Sequence, residues 1–357
     1  MDPVTHMLTG ACLGRAGLNR KTGLATLTLV LAAESPDIDG VSYLVSAATG
    51  LKHHRGITHS LIGAPVMALL VVGLVYGIFR VLKARGRGPS LPPNWKLLYG
   101  YALLGALLHL FQDFTNNYGV RPFAPFNLRW YSWDIVYIVD PFMLLALIAG
   151  LVVPALLGLV TAEIGARKRQ FHGRGGAILA LAVVAALIVV RDFEHRRAVN
   201  ALNARTYHNE EPLRASAFPL PLNPFSWNGV VETQSFFHML PVEPASGVGD
   251  PLTVDPQNKG VLRFKPEGTP ASLAAKKSYL GRAFLDWAAY PVVTVQELNG
   301  GGYQVQFEDL RFESVEGYAQ RRRPPLTGTV VLDPRLHVDE MYMGLAPNGI
   351  GNAGAHP

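Results

Sequence analysis

HHRGITHSLIGAPVMALLVVGLVYGIFRVL, residues 53–82, decides the architecture of this chain. Its second part, 61–82, is an apolar run whose single charge, Arg80, sits near the end. A helix that crosses a bilayer needs about 20 consecutive apolar residues, each rising about 1.5 Å. The run therefore reads as a membrane span. The part ahead of it crowds His53, His54, Arg55 and His59 against the mouth of that span. Ionisable groups so close to lipid are costly and usually functional.

Three further stretches extend the membrane reading. Residues 141–162 are apolar until Glu163, and Asp140-Pro141 ahead of them makes a good N-cap and first-position pair. Residues 97–112 and 175–190 are shorter apolar runs, the former ending in His109-Leu110-Phe111-Gln112-Asp113. Residues 22–33 are too short to span and read as a buried or re-entrant helix. Composition agrees, since 49% of the 357 residues are apolar and 16% charged, against about 25% charged in soluble domains. The net charge of +6 does not point to nucleic acid, because many of the basic residues flank apolar runs.

Threading four spans puts residues 1–60, 113–137 and everything after 190 on one side. The loops 83–96 and 163–175 fall on the other, with Lys83, Arg85, Arg87 and Lys96, then Arg167, Lys168, Arg169 and Arg174. Dense basic charge in short loops marks the cytoplasmic side. The expectation is a multi-pass protein of a bacterial inner membrane, with its histidine-rich face and C-terminal part on the non-cytoplasmic side. Met1 to His6 carry no basic n-region and no cleavable signal pattern, so an internal apolar segment is expected to direct insertion.

Beyond residue 200 the pattern changes. Pro219, Pro221, Pro224, Pro241 and Pro244 punctuate an irregular stretch. The runs 230–233, 292–295, 303–307 and 329–332 are β-branched or alternate with period two, which argues for strands. The fold class read from sequence is a mainly α membrane domain, four transmembrane helices plus re-entrant N-terminal helices, followed by a β-rich soluble domain. The expected boundaries are 1–195 for the membrane domain with its metal site, 196–225 for a proline-rich linker, 226–343 for the β-rich domain and 344–357 for a disordered tail.

The first 140 residues concentrate groups that ligate metals. Cys12 is the only cysteine, so a metal must rest on histidine and carboxylate. His109 and Asp113 stand four apart, on one face of a helix. They either share an ion or one orients the other. Glu34, Asp37 and Asp39 place three acids within six positions around Pro36 and Gly40, and acids this close repel unless a cation sits among them. A solvated acidic turn is the competing reading. For residues 53–60 the alternative is a juxtamembrane cluster with Arg55 on lipid head groups. Read as a site, the histidines, Arg55 and the start of a helix capped by Thr58 or Ser60 suit an anionic ester. His6 is unremarkable alone.

Thr5-His6, Ser35-Pro36-Asp37-Ile38-Asp39, His54-Arg55-Gly56-Ile57-Thr58-His59-Ser60 and His109-x-x-x-Asp113 together resemble the YdjM-type family. These are LexA-regulated, inner-membrane-associated proteins classed on their motifs as metal-dependent hydrolases, distantly like zinc-dependent phospholipase C and P1 nuclease. The resemblance covers roughly residues 1–190. It implies His6, Asp37, Asp39, His54, His59, His109 and Asp113 as metal ligands, with Asp134 as a further candidate. It also implies Arg55 as the group that binds a substrate anion, Glu34 or whichever carboxylate is left unligated as general base, and water activated by a divalent ion as nucleophile. Zinc is the first choice of ion, with Mn²⁺ or Fe²⁺ compatible with the same donors.

Two functions follow as expectations. One is a membrane-bound metal-dependent hydrolase of a phosphoester or lipid. The other is a non-catalytic scaffold in which a structural metal ties re-entrant segments together and the β domain binds a partner. Membrane lipid is the expected surrounding in both, and no protein partner is legible. A transporter fits less well, because the charges gather at helix ends rather than at mid-membrane.

Overall fold

A computed structural model describes residues 1–163, 173–221, 223, 225–244, 260–265, 267–313, 315 and 326–344. The expected tail lies outside the described residues from 345 onward, as do Arg167, Lys168 and Arg169 of the second basic loop. The chain divides into two compact units. One comprises Met1–Asp39, Arg55–Glu194 and Pro221–Pro224, the other Gly40–His54, His195–Leu220 and Phe225–Pro357.

The first unit is helical. Helix α1 (Pro3–Arg15) starts where Asp2 accepts the Thr5 amide at 3.0 Å and Pro3 fills the first position. α2 (Ala25–Glu34) follows and runs into a 3-10 stretch, Ser35–Leu44, of which Asp37 and Asp39 stay in this unit. Next come a 3-10 turn at Ile57–His59, α4 (Gly63–Ala84), α5 (Trp95–Thr115) and α6 (Pro141–Glu163), with α3 placed in the second unit below. α7 (Arg174–Asn203) begins here, and from His195 onward its residues are counted with the second unit. α4, α5, α6 and α7 are each long and apolar enough to cross a membrane.

The spans outrun the expected 97–112 and 175–190 for a physical reason. α5 continues to Thr115 because His109, Gln112 and Asp113 are buried on its inner side, so its polar end is part of the packing. Between membrane helices there is little hydrophobic drive, and small residues that allow close contact carry the association. Here Ala32 of α2, Ala68, Val71 and Val75 of α4 and Ala102 of α5 form one buried cluster. A Cβ on Gly10 would lie 2.7 Å from the Leu29 carbonyl oxygen, and one on Gly105 2.8 Å from Ala32 Cβ. The outer flanks stay apolar and bare, with Val66 and Leu69 on α4, Leu145 and Leu156 on α6 and Leu179 on α7 exposed, as lipid contact requires.

The second unit holds α3 (Ala47–His53), two antiparallel sheets and two short helices. One sheet is β1 (Arg214–Pro219), β2 (Trp227–Glu232), β3 (Phe236–Val242) and β4 (Val261–Phe264), in that order. The other is β5 (Pro291–Glu297), β6 (Tyr303–Asp309), β7 (Gly328–Leu332) and β8 (Val338–Met343). The four runs read as strands fall on β2, β5, β6 and β7. Phe218, Val230, Phe237 and Met239 pack with Tyr290, Val292 and Leu310 in one core.

α8 (Pro270–Lys277) and α9 (Tyr279–Trp287) escaped the reading of this domain as β-rich. Their signals are local: Thr269 and Ser272 form a capping box, and Ser278 caps α9. α3 packs against α9 and β8, and Lys52 Nζ lies 4.8 Å over the Tyr279 ring. Residues 40–54, expected within the membrane domain, are therefore counted with the second unit.

A candidate metal centre

Four buried or half-buried donors converge in the first unit. They are Asp37 on the 3-10 stretch after α2, His59 on the turn before α4, and His109 and Asp113 on α5. His59 Nε2 lies 3.0 Å from His109 Nε2, 3.1 Å from Asp37 Oδ1 and 3.4 Å from Asp113 Oδ2. His109 Nε2 lies 3.3 Å from Asp113 Oδ2 and 3.6 Å from Asp37 Oδ1. A tetrahedral ion with bonds of about 2.0–2.2 Å sets its donors roughly 3.3–3.6 Å apart. Five donor pairs here already stand at or near that edge length. These four side chains could hold one metal ion.

The hydrogen bonds behind the histidines fix what they present. His109 Nδ1 donates to the Ala33 carbonyl at 2.6 Å, an acceptor that leaves no choice of tautomer. His59 Nδ1 faces Asp39 Oδ2 at 3.1 Å, and the Thr58 hydroxyl donates to the same oxygen at 2.6 Å. His6 Nδ1 faces Gln112 Oε1 at 3.0 Å. Gln112 is oriented in turn, since its Nε2 donates to Thr9 Oγ1 at 2.9 Å and the Thr9 hydroxyl donates to the Thr5 carbonyl at 2.8 Å. With each Nδ1 committed as donor, a neutral ring turns its Nε2 lone pair inward.

Once the His59 and His109 rings give up their Nε2 protons, the inner face is made of lone pairs and carboxylates. His6 Nε2 stands 3.4 Å from Asp113 Oδ1. Among the described residues, neither His6 Nε2 nor Asp113 Oδ2 makes a hydrogen bond, although both are buried. Burial, with His109 facing it, pushes the His6 imidazole down to about 3, so this ring stays neutral. At Asp37 burial works the other way, yet protons carried on the His59 and His109 rings that face it hold its carboxyl below the usual range, in the place a metal ion's charge would take. Only added positive charge, protons or a metal ion, settles such a centre, and the donor set suits a divalent ion.

Of the residues expected to form the site, His6, Asp37, Asp39, His59, His109 and Asp113 lie in this unit; Asp39 stands behind His59 and, with Asp37, also belongs to a second set of donors that could hold an ion. Glu34 ends α2 close by. Burial, with the Asp37 charge beside it, pushes its carboxyl up to about 7, and its buried Oε1 makes no hydrogen bond among the described residues. His54 belongs to the second unit, where it follows α3 and meets the Tyr43 ring edge-on at 5.6 Å. Asp134 takes a left-handed φ of 59° in the loop before α6 and is outside the four-donor group. Gln112, Thr9 and Asn116 were not foreseen. Gln112 had one available signal, a lone amide on an apolar helix three residues after His109.

Arg55 is buried at a left-handed φ of 58° and is engaged by the protein. Its Nη2 pairs with Asp113 Oδ1 at 2.8 Å, and its Nη1 donates to the Gly119 carbonyl at 2.9 Å and to Asn116 Oδ1 at 3.3 Å. The Tyr118 ring lies 4.6 Å from the guanidinium carbon. The Arg55 charge therefore offsets that of Asp113 and engages Oδ1, the oxygen His6 also faces, while Oδ2 meets His59 and His109. Breaking a buried pair by removing one partner costs about 3–5 kcal/mol. Arg55→Ala is expected to lose about that much stability in chemical unfolding, while Arg55→Lys, without the planar fork, recovers only part of it.

The chain belongs to the YdjM inner membrane protein family, which it matches over residues 1–198. Residues 270–348 match a second family, the YfhP C-terminal alpha/beta plait domain, which takes in α8, α9 and β5 to β8. Among curated proteins it is similar to YfhP of Bacillus subtilis (strain 168), 27% identical over 161 residues. That alignment covers 43% of this chain and 46% of YfhP, so the chain spans about half the length of this relative. Comparison with solved structures gives no match.

Proposed function

We propose that this protein is a membrane-bound hydrolase that uses a divalent ion, zinc before Mn²⁺ or Fe²⁺, to cleave a phosphoester or lipid substrate. Its metal site and C-terminal domain face away from the cytoplasm in this reading. The observation that carries it is the set of four donors, five of whose pairs stand near tetrahedral edge lengths, with the His59 and His109 rings held by Nδ1 from behind. Asp37, His59, His109 and Asp113 hold the ion, and His6 stands beside them. A divalent ion held there would supply a Lewis acid that lowers the pKa of water toward ~7. Glu34, pushed up to about 7 by burial and by the Asp37 charge, would take the proton at neutral pH. Arg55 acts through Asp113, which it positions.

The test is hydrolysis by purified, metal-loaded protein across soluble phosphomonoesters, phosphodiesters and phospholipids. With Glu34 as base, log kcat/KM rises with pH and levels off above about 7, where its carboxylate is formed. Glu34→Gln is expected to remove that limb and lower kcat by roughly 10²–10⁴ while leaving metal content unchanged. Fully metallated protein that cleaves nothing in the panel would sink the hydrolytic reading.

One observation favours the second reading, a scaffold with a structural metal and a β domain that binds a partner. The Arg55 Nη atoms are engaged by Asp113, Asn116 and Gly119, as a purely structural cation would be. That reading gains if the metallated protein is inert and the metal matters only to its stability.

A further inference from the structure

Beside the four donors the first unit opens into an apolar groove of about 530 Å³. One wall is a single stripe of α4, with Met67, Leu70, Val71 and Leu74 at successive helical contacts. Glu34 and Asp37 close its polar end. Asp37 therefore serves two places at once, as a donor of the candidate centre and as part of the groove wall. Whatever fills the groove has one end against the metal site.

Depth and charge identify the occupant. α4 starts at Gly63, and the stripe begins four residues further on, about 6 Å along the axis, then runs for about 10 Å. In a hydrocarbon core about 30 Å thick, that is the depth of acyl chains in one leaflet. Leu70 is 60% exposed and Leu74 55%, so the groove is open along its side. A chain can enter sideways from the bilayer without crossing water. At the polar end a divalent ion would meet an anionic head group. A soluble ester has the polar end to use and nothing to place against Met67 and Leu74.

We propose that the groove seats one acyl chain of a membrane phospholipid and so sets its head-group phosphoester against Asp37. This deepens the hydrolytic reading and rests on it for the cleavage, though not for the binding. Lipid tails surround the protein in any case, so the groove gains little by transfer from one apolar medium to another. Its work is positional: a chain fixed along α4 holds the ester in register with the donors, where orientation contributes most to rate.

The test uses the full chain, metal-loaded, in phosphatidylglycerol vesicles doped with phosphatidylglycerol carrying a diazirine in mid-chain. Photolysis and peptide mass spectrometry read where the chain attaches. Adducts are expected to concentrate on Met67, Leu70 and Leu74 several-fold over Val66 and Leu69, which are 55% and 63% exposed on the same helix but outside the groove. Leu70→Trp with Leu74→Trp, checked for wild-type metal content, should fill the groove and lower that labelling several-fold, whereas Leu69→Trp should not. Labelling spread evenly around α4, or unchanged by the filled groove, overturns the proposal. Groove labelling without cleavage of any ester would leave the seat standing and the hydrolase reading fallen. Cleavage of soluble p-nitrophenyl phosphate with evenly spread labelling would do the reverse.

Discussion

Asp113→Ala is expected to strip the metal and destabilise the protein together, the largest combined effect of any single change. Asp113 meets both histidine Nε2 atoms through Oδ2, at 3.4 and 3.3 Å, and meets Arg55 through Oδ1 at 2.8 Å. The Met1 amine also lies against Oδ1. Removing the carboxylate deletes one of four donors and leaves the Arg55 guanidinium buried without its counter-charge, a loss of about 3–5 kcal/mol. Elemental mass spectrometry on detergent-purified protein reads the first effect and chemical unfolding the second. His59→Ala is expected to lose the metal as well, with a smaller fall in stability because it strands no buried cation. If near-stoichiometric metal survives both changes, the four donors do not form one site. Binding is also expected to weaken as pH falls, because protons compete for the same Nε2 lone pairs and carboxylates. Titrations at pH 5.5 and 7.5 (about tenfold or more apart in affinity) check the sign.

Much of this centre was legible in the sequence because its residues obey short-range rules. His109 and Asp113 stand one helical turn apart, so their shared face follows from spacing alone. Asp37 and His59 were visible as an acidic break and a histidine ahead of an apolar run. What spacing does not carry is the choice among neighbours. His54 and His59 stand in one motif, yet His54 is counted with the second unit and His59 with the first. Asp37 and Asp39 are two apart, and the 3-10 stretch turns one toward His59 Nε2 and the other toward Nδ1. Those are consequences of packing.

The fold shows the same division. Long apolar runs announced the spans, and alternation announced β2, β5, β6 and β7. α8 and α9 were missed because eight or nine residues carry too little periodicity, and only their caps marked them. Packing of α3 on α9 and β8 is a long-range contact, which spacing along the chain does not carry. Arg55 fits this pattern too. Its charge beside histidines suggested an anion-binding group, and only the tertiary partners Asp113, Asn116 and Gly119 reveal what engages it.

Gln112→Met is expected to weaken metal binding, by less than the roughly 10- to 100-fold usual where the group behind a ligand is lost, because the ring it holds, His6, stands beside the four donors rather than among them. The reasoning runs through one proton. The Thr5 carbonyl takes the Thr9 hydroxyl hydrogen, which leaves Thr9 Oγ1 to accept from the Gln112 amide nitrogen. That turns Gln112 Oε1 toward His6 and keeps the ring proton on Nδ1. Without the amide oxygen the proton is free to move to Nε2, where it would point at Asp113 from 3.4 Å and hold the carboxylate against a cation. Thr9→Val acts one step earlier: it removes the acceptor that orients the amide, and a smaller loss in the same direction is expected. Gln112→Glu keeps an acceptor facing Nδ1 and should retain more of the affinity than Gln112→Met. Competition against a chromogenic chelator measures all three, and nitrogen-15 shifts of the His6 ring report its tautomer directly. Equal affinity in Gln112→Met and wild type, with the His6 proton still on Nδ1, would show that the α1 backbone alone sets the ring and that the Thr5–Thr9–Gln112 relay serves only to pack α1 against α5.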